Sequence, residues 1–309
     1  MRIVDLLILL VLVGFLIIGL YVLWQNVPIN HEYEEFVANV SSRLPIQSTQ
    51  FYPNMRYQHS IITTNISDEC TTVKQELIQR ALTTLESSTP LRFALAQAGT
   101  AAELSYLCST RSPDAEDKRH FVAGEGGPTR IINTTRYAVI LNGKVLLYRS
   151  EKCERPIIAL HETLHALGFE HASDKKSIMF PVTDCSQELE PSLIATLSRL
   201  YAVEAAPDLS IQRVSANATG RYLAFEIAIA NYGLASTTNA TLFISTPERL
   251  LHTLPLEDIE FGQRKTLTAS NIRIPRDSEM LIFSVEQAPG EAELNPEDNR
   301  AELRIKQGE

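Results

Sequence analysis

Residues 160–181 have the sequence LHETLHALGFEHASDKKSIMFP, which places three histidines and a glutamate within eleven residues. On a helix, His161 and His165 are four residues apart and therefore lie on one face. Gly168 can adopt a positive φ, end the helix and let the chain turn, so that His171 returns to the same point. The pattern therefore predicts a helix and a turn that together gather three imidazoles.

Three neutral imidazoles on one ion leave a coordination position open, which is typical of a catalytic rather than a structural zinc. Glu162 follows the first histidine and can reach a water molecule at that position without being a ligand. Zinc lowers the pKa of such a water to about 7, and Glu162 can take its proton. A bare HExxH also occurs by chance in ordinary helices, but HExxHxxGxxH fixes five positions and is followed here by Met179. The sequence therefore favours a zinc site with His161, His165 and His171 as ligands.

The motif HETLHALGFEH at 161–171 and the segment SIMFP at 177–181 resemble the metzincin metallopeptidases, and within them the matrixin-like branch. The likeness extends more loosely over residues 51–201. It implies an α+β catalytic domain, in which a mixed sheet accompanies a zinc-binding helix, and a protein or peptide substrate. It also implies that Glu162 is the general base and that Met179, in a Met-turn, forms the apolar floor beneath the zinc ligands.

Three features depart from the matrixin pattern. Matrixins commonly have tyrosine after the Met-turn methionine, whereas this chain has Phe180. No cysteine precedes Cys70, so the pro-segment cysteine that keeps many matrixins latent has no counterpart. The histidine-rich loop that holds a structural zinc is also missing, with only Asp114, Asp117 and His120 in that region. The sequence therefore predicts one catalytic zinc and no structural metals.

The four cysteines form an even set without a CxxC motif, which in an extracytoplasmic chain suggests two disulfides. Their connectivity does not follow from the sequence. Cys153 lies just before the histidine helix and Cys185 just after the Met-turn, so one hypothesis joins these two and joins Cys70 to Cys108. The alternative is two free buried pairs.

Residues 6–24 contain no charged side chain, and their number is close to the ~20 that a helix needs to cross a bilayer. A cleaved signal peptide usually has a shorter apolar core of ~7 to 15 residues and a small-x-small cleavage site. We therefore expect a transmembrane anchor in residues 1–28, followed by a stalk or short amphipathic helix in 29–50. The first Lys or Arg after this span is Arg43, so the positive-inside rule favours a single-pass protein of the cell membrane with a cytoplasmic N-terminus. The catalytic domain would then be extracytoplasmic.

The segment after residue 50 has α+β signals. Residues 60–66 are rich in β-branched side chains and predict a strand. Thr72 and Gln75 have the spacing of a capping box, which predicts the start of a helix. The predicted buried stripe of this helix consists of every fourth residue, namely Val73, Leu77, Ala81 and Leu85.

Further strands and a hairpin are expected before the histidine helix. Residues 91–96 and 103–108 favour short buried strands, and the polar, glycine-containing residues 109–135 favour a long surface loop. Asn142-Gly143 between two apolar runs predicts the turn of a hairpin over 137–148. An extended substrate would pair with an edge strand of this hairpin region. Specificity would depend mainly on a pocket formed by residues after Pro181.

Residues 206–309 have the pattern of an all-β domain. Apolar residues alternate in 221–231 and 281–285, and five more β-like runs lie between turn signals, so about seven short strands predict an antiparallel, immunoglobulin-like sandwich. The segments PDLSIQRVS at 207–215, NYGLAS at 231–236 and NPEDNRAELRI at 295–305 resemble the CARDB-type modules of prokaryotic surface proteins. This resemblance implies a role as spacer, in adhesion or in substrate presentation. Contact with a surface protein or a polysaccharide would fit that role. Four acidic residues near its end favour a solvated loop over a calcium site, namely Glu291, Glu293, Glu297 and Asp298.

The whole chain of 309 residues has a formal net charge of -9 and no dense Lys/Arg cluster, which argues against a nucleic-acid partner. The predicted domains are the anchor 1–28, the stalk 29–50, the zinc peptidase domain 51–205 and the sandwich 206–309. The predicted activity is that of a zinc endopeptidase. The main alternative is a catalytically idle adhesion protein with a structural zinc, although such a site would not need Glu162. A zinc hydrolase that does not act on peptides is a further alternative.

Overall fold

The computed structural model describes residues 50–97, 100–113, 122–149, 153–275, 278–288 and 291–304. The predicted anchor in 1–28 and all but the last residue of the predicted stalk lie outside the described residues. Within the described residues, no helix has both the length and the apolar character needed to cross a membrane. All of these residues belong to one compact unit, Gln47–Glu309.

A mixed sheet of six strands forms the first half of this unit. Its strands are β1 Met55–Tyr57, β2 Ile61–Ile66, β3 Arg92–Leu95, β4 Leu104–Cys108, β5 Gly124–Asn133 and β6 Ala138–Leu147. The parallel strands follow the order β1-β6-β4-β2-β3, and β5 pairs antiparallel with β6. Since β5 pairs along the whole of β6, β1 and β4 lie end to end along the opposite edge of β6. Strand β5 therefore forms one edge of the sheet.

Three helices accompany the sheet: α1 Thr72–Ser88, α2 Ile157–Ala166 and α3 Pro191–Tyr201. The predicted capping box of α1 is wrong by one residue, because the N-cap is Thr71, whose side chain accepts a hydrogen bond from the Lys74 N–H. The predicted stripe is wrong at Val73, which is 57% exposed, and at Leu77, which is half-buried. The buried face instead follows the helical repeat through Lys74, Ile78, Ala81, Leu82 and Leu85.

The hairpin predicted at Asn142-Gly143 is wrong. Strand β6 runs straight through both residues, and its antiparallel partner is β5, which occupies part of the predicted surface loop. Gly143 does not form a turn. It allows close packing, because a Cβ at this position would lie 2.3 Å from the Tyr57 Oη. The turn of the real hairpin lies at residues 134–137, where the Thr134 N–H donates to the Tyr137 carbonyl at 2.9 Å.

The strand predicted in residues 91–96 is present, but the expectation that it is buried is wrong. Strand β3 pairs only with β2 among the described strands and therefore lies at the other edge of the sheet. Leu95 at its end is 73% exposed, whereas Leu91 just before it is fully buried. This apolar run therefore forms an edge strand of the sheet and not a strand in the centre of the core.

Two disulfides brace this half of the molecule. One joins Cys70 to Cys108 and the other joins Cys153 to Cys185, which are the two pairs that the sequence hypothesis named. Their sequence separations are 38 and 32 residues. Loops of this size correspond to about 3–4 kcal/mol each in the loop-entropy account of disulfide stabilisation. The second bridge ties the segment before α2 to the segment after Pro181.

The second half consists of seven strands in two sheets, in the orders β10-β9-β12-β13 and β11-β8-β7. Every run predicted to be β-like is a strand. The seven strands are β7 Leu209–Thr219, β8 Tyr222–Asn231, β9 Thr241–Ser245, β10 Leu250–Pro255, β11 Arg264–Arg273, β12 Met280–Glu286 and β13 Arg300–Arg304. The rings of Phe225 in β8 and Phe283 in β12 pack at 5.3 Å between their centroids and join the sheets. The region is thus a β-sandwich with its own hydrophobic core.

Candidate metal centre

Helix α2 is buried over its whole length. It begins directly after Pro156, which suits a helix start because proline lacks the N–H that would be unpaired there. The Thr163 Oγ1 bonds the Ala159 carbonyl at 2.6 Å and the Tyr106 Oη of β4 at 3.0 Å, so the helix is fixed against the sheet. The predicted turn at Gly168 is confirmed, since this residue has a φ of +95°.

The three histidines converge as the spacing predicts. The His165 Nε2 lies 3.0 Å from the His161 Nε2 and 3.1 Å from the His171 Nε2. Tetrahedral zinc with Zn–N bonds of about 2.0–2.1 Å places its nitrogen ligands about 3.3 Å apart. Among the residues that the structure describes, these histidines are the one group of three or more His, Cys, Asp and Glu whose ligand atoms lie within 4.8 Å of one another.

The hydrogen bonds of two of these imidazoles show that the cluster is suited to a cation. The His161 Nδ1 lies 2.6 Å from the Ile178 carbonyl oxygen, and the His165 Nδ1 lies 2.7 Å from the Phe169 carbonyl oxygen. Because a carbonyl only accepts, each Nδ1 carries the hydrogen and each Nε2 presents a lone pair to the centre. Lone pairs that face each other at 3.0 Å need a cation between them. The donor set therefore fits zinc.

Burial keeps the imidazoles in the neutral form that binds metal. It lowers the pKa of His161 to about 4 and the pKa of His165 to about 3. It also lowers the pKa of His171, although this residue is the most exposed of the three. At neutral pH the chain thus presents three unprotonated nitrogens without having to release protons.

The segment around Met179 folds back under the cluster. Met179 is buried, its N–H donates to the Ser177 Oγ at 3.0 Å, and its carbonyl accepts from the Ala172 N–H at 2.8 Å. The preceding residue, Ile178, supplies the carbonyl that orients His161. The turn is therefore hydrogen-bonded to the residue that follows His171, and it also orients the His161 ring.

Glu162 lies on the same helix with its side chain against strand β5. It is 6% exposed, and a Cβ built on Gly124 would lie 2.7 Å from its Cγ. Burial, followed by the charge of Glu125, raises the pKa of the Glu162 carboxyl to about 8. Burial, together with Glu125 and Glu162, also raises the pKa of the Tyr148 phenol. In the chain alone, the buried Glu162 carboxyl therefore holds its proton more tightly than an exposed glutamate does.

Other predicted residues have different surroundings. Glu291, Glu293, Glu297 and Asp298 are all described, and they do not converge on a calcium site within the described residues. Glu293 is partly buried and accepts a hydrogen bond from the Leu209 N–H at 2.7 Å, so it supports a strand rather than a solvated loop. Asp114, Asp117 and His120 lie outside the described residues.

Sequence reasoning missed three contributors to the site. The carbonyls of Phe169 and Ile178 are backbone groups, and no side-chain pattern indicates them. The ring of Phe51 stacks on the His165 ring with 6.0 Å between their centroids. Gly124 and Gly126 were attributed to a loop, although they are strand residues in contact with Glu162. The glycine-rich sequence of residues 124–127 was the signal that could have indicated this close packing.

A protein-family model matches the part of the chain that contains this metal centre. Residues 54–202 match the matrixin family model (peptidase family M10). No curated protein sequence matches the chain. A crystal structure of the CARDB domain of the PF1109 protein from Pyrococcus furiosus, in complex with di-metal ions, is 15% identical with a TM-score of 0.28, and the match covers 34% of this chain and 99% of that one. A solution NMR structure of the same domain is 17% identical with a TM-score of 0.28, over 33% and 96% of the two chains. Residues 54–202 are thus similar to the matrixins, a family of zinc-dependent metallopeptidases, and the converged histidines fit the zinc site of such a domain.

Proposed function

We propose that the protein is a zinc endopeptidase that hydrolyses peptide bonds of extracytoplasmic proteins. One observation carries the proposal, namely three histidine Nε2 atoms that meet around one point while the buried Glu162 stands beside them as a carboxyl outside the ligand set. A structural zinc site is usually closed by four protein ligands, whereas a catalytic one has three and an open position. The three-histidine group supports the catalytic type.

The residues of this chain have separate roles in the proposed hydrolysis. When bound, zinc supplies a Lewis acid that polarises the scissile carbonyl and lowers the pKa of a water molecule. Glu162 takes a proton from the attacking water and later gives it to the leaving amine, so it acts first as base and then as acid. Its pKa of about 8 describes the chain alone, and a cation nearby favours the carboxylate form. The carbonyls of Ile178 and Phe169 keep the imidazoles oriented throughout.

We propose that an extended substrate pairs with the edge of strand β5. The expectation that a peptide pairs with an edge strand within 137–148 is wrong, because β6 occupies 138–147 and has partners on both edges. Strand β5 is the edge strand of this hairpin, and its residues Gly124 and Gly126 lie against Glu162. An extended peptide that adds to the free edge of β5 would pass beside the general base. Specificity would come from side chains after Pro181, such as Val182, which is 45% exposed.

Location at the cell membrane remains part of the proposal. It rests on the uncharged run at 6–24 and on the absence of Lys and Arg between that run and Arg43. The two disulfides support an oxidising compartment for residues 50–304. The catalytic domain would then meet its substrates outside the cytoplasm.

In the adhesion alternative, Glu162 would have no catalytic function. A protein that used zinc only for structure would have no need of a carboxyl whose pKa burial raises to about 8. Burial of an ionisable group without a structural partner costs free energy and is typical of functional sites. These features favour catalysis over adhesion.

Cleavage of a mixed peptide library by the full chain in detergent tests the proposal. We expect cuts within peptides, complete loss of cutting in His165→Ala, and wild-type cutting in the control His59→Ala, since the His59 side chain is 49% exposed and outside the cluster. Mass spectrometry of the products would give both the cuts and the side chains that flank them. If the zinc-loaded wild type leaves the library intact, the adhesion alternative replaces this proposal.

A further inference from the structure

Among the described residues, the β-sandwich contacts the tip of the β5–β6 hairpin at residues 132–136. We propose that the sandwich is a positioning domain, which holds this hairpin tip and thereby fixes the backbone next to the zinc ligands and the general base. The proposal rests on the peptidase function proposed above and gives the sandwich a role within it. It replaces the passive role of a spacer.

The hairpin tip contains one residue in a sparsely populated backbone conformation. Thr135 has a φ of 70°, which is in the left-handed region that β-branched residues rarely adopt. Such a backbone persists only where the surrounding contacts determine it. Within the tip, the Thr135 N–H donates to the Asn133 Oδ1 at 2.8 Å. The neighbouring Thr134 is 1% exposed, whereas Asn133 and Thr135 on either side of it are exposed.

The sandwich contacts Thr134 and Arg136 of this tip. The Thr134 Oγ1 donates a hydrogen bond to the Tyr232 carbonyl at 2.8 Å. The Arg136 Nε lies 3.0 Å from the Asp208 Oδ2, and the Asp208 side chain is fully buried. A buried carboxylate needs cationic or hydrogen-bonding partners, and here Arg136 of the hairpin tip supplies the cation while the Asn295 backbone supplies a hydrogen bond. The two sandwich residues are themselves joined, since the Tyr232 N–H donates to the Asp208 carbonyl at 2.8 Å.

A third contact packs directly against the end of β5. A Cβ built on Gly262 would lie 2.5 Å from the Ile132 Cγ2, so the two chains are in close contact there. The Gly262 N–H donates to the Asn231 carbonyl at 2.8 Å. Asn231 is fully buried, and its Oδ1 accepts from the Asp208 N–H at 3.1 Å. One buried asparagine thus connects the three sandwich segments that meet the hairpin tip.

The hairpin tip is connected to the metal centre through strands β6 and β1. Two residues after Arg136, Ala138 pairs with Met55 of β1. The Met55 side chain packs against Gly168, because a Cβ there would lie 2.7 Å from its Sδ. Gly168 precedes Phe169, whose carbonyl orients His165. Through β6 and β1, a displacement of the hairpin tip would therefore reach the backbone that holds a zinc ligand.

Three single substitutions in the full chain test the proposal. Arg136→Ala removes the contact with Asp208, Arg136→Lys keeps the charge, and the control Arg213→Ala removes the exposed ion pair with Glu226 within the sandwich. We expect Arg136→Ala to lower kcat about tenfold per bound zinc, with KM unchanged within about twofold, because misplaced catalytic groups slow the chemical step. Arg136→Lys should restore most of the rate, and Arg213→Ala should behave as wild type.

Hydrogen exchange measured by mass spectrometry gives a second readout that does not depend on activity. We expect faster exchange over residues 165–171 and 124–133 in Arg136→Ala than in Arg213→Ala. Because Arg136→Ala also leaves Asp208 without its cation, Thr134→Val serves as a milder second variant that should show the same changes to a smaller extent.

The outcomes separate this proposal from the peptidase proposal. Equal kcat values and equal exchange in Arg136→Ala, Thr134→Val and Arg213→Ala would overturn the positioning role and leave the peptidase intact. If wild type does not cleave peptides, the peptidase proposal fails, and the exchange over 165–171 still decides whether the sandwich orders the metal centre. Faster exchange in Arg136→Ala and Thr134→Val alone would support that ordering.

Discussion

Replacement of Glu162 by glutamine is expected to lower kcat for peptide hydrolysis by about 10²–10⁴-fold, the usual contribution of a general acid–base group. Glutamine has nearly the same shape but cannot take the proton of the attacking water. Since Glu162 is outside the three-histidine group, zinc content should stay at the wild-type level. Steady-state kinetics at saturating peptide and elemental analysis of the same samples would measure both quantities.

The matched control for this substitution is Glu76→Gln, which removes a carboxylate from the exposed face of α1. We expect it to leave kcat and zinc content unchanged. If Glu162→Gln hydrolysed peptides as fast as Glu76→Gln, Glu162 would not be the base. If Glu162→Gln lost zinc together with activity, the carboxyl would instead belong to the ligand set.

Replacement of Gly126 by alanine is expected to have the second largest effect. A Cβ at this position would lie 2.0 Å from the Glu162 carbonyl oxygen and 2.9 Å from its Cα, so β5 and α2 would have to move apart. Overpacking of this kind costs about 1–3 kcal/mol of stability, and an active-site displacement of about 1 Å can cost about 100-fold in rate. Thermal unfolding and kcat/KM would measure the two effects.

The adjacent Gly127→Ala provides a control within the same strand. A Cβ at Gly127 has nothing within 4 Å, and the substitution keeps the backbone N–H. We expect its unfolding free energy to stay within about 0.5 kcal/mol of wild type, with kcat/KM unchanged. If Gly126→Ala and Gly127→Ala behaved alike, the close packing of β5 on α2 would not be what holds Glu162 in place.

The metal centre could be predicted because its geometry is local. His161 and His165 share a helix face by covalent spacing alone, and Gly168 reverses the chain in the way that its missing Cβ permits. Two strands of the sandwich were likewise indicated by alternation, as in Leu223 and Phe225, whose side chains lie inside, and the other five were indicated by β-like runs between turn signals. Patterns within one element thus sufficed for these features.

The hairpin could not be predicted because distant contacts decide it. Asn142-Gly143 is a strong local turn signal, yet Gly143 is needed where β6 passes close to Tyr57. Gly126 looked like a loop residue because its contact, Glu162, comes 36 positions later in the sequence. Helix α3 is different, since its signals were present but missed. Proline at its first position and buried leucines at helical spacing indicate it, namely Leu193, Leu197 and Leu200.

Titration of metal-free protein with zinc, followed by peptide cleavage, tests the central claim most directly. We predict that activity rises linearly and stops rising at one zinc per chain, and that His165→Ala shows no such rise, because His165 contributes the central Nε2 of the cluster. Cleavage by the metal-free protein, or equal titration curves for wild type and His165→Ala, would contradict the assignment of these histidines as the catalytic zinc ligands.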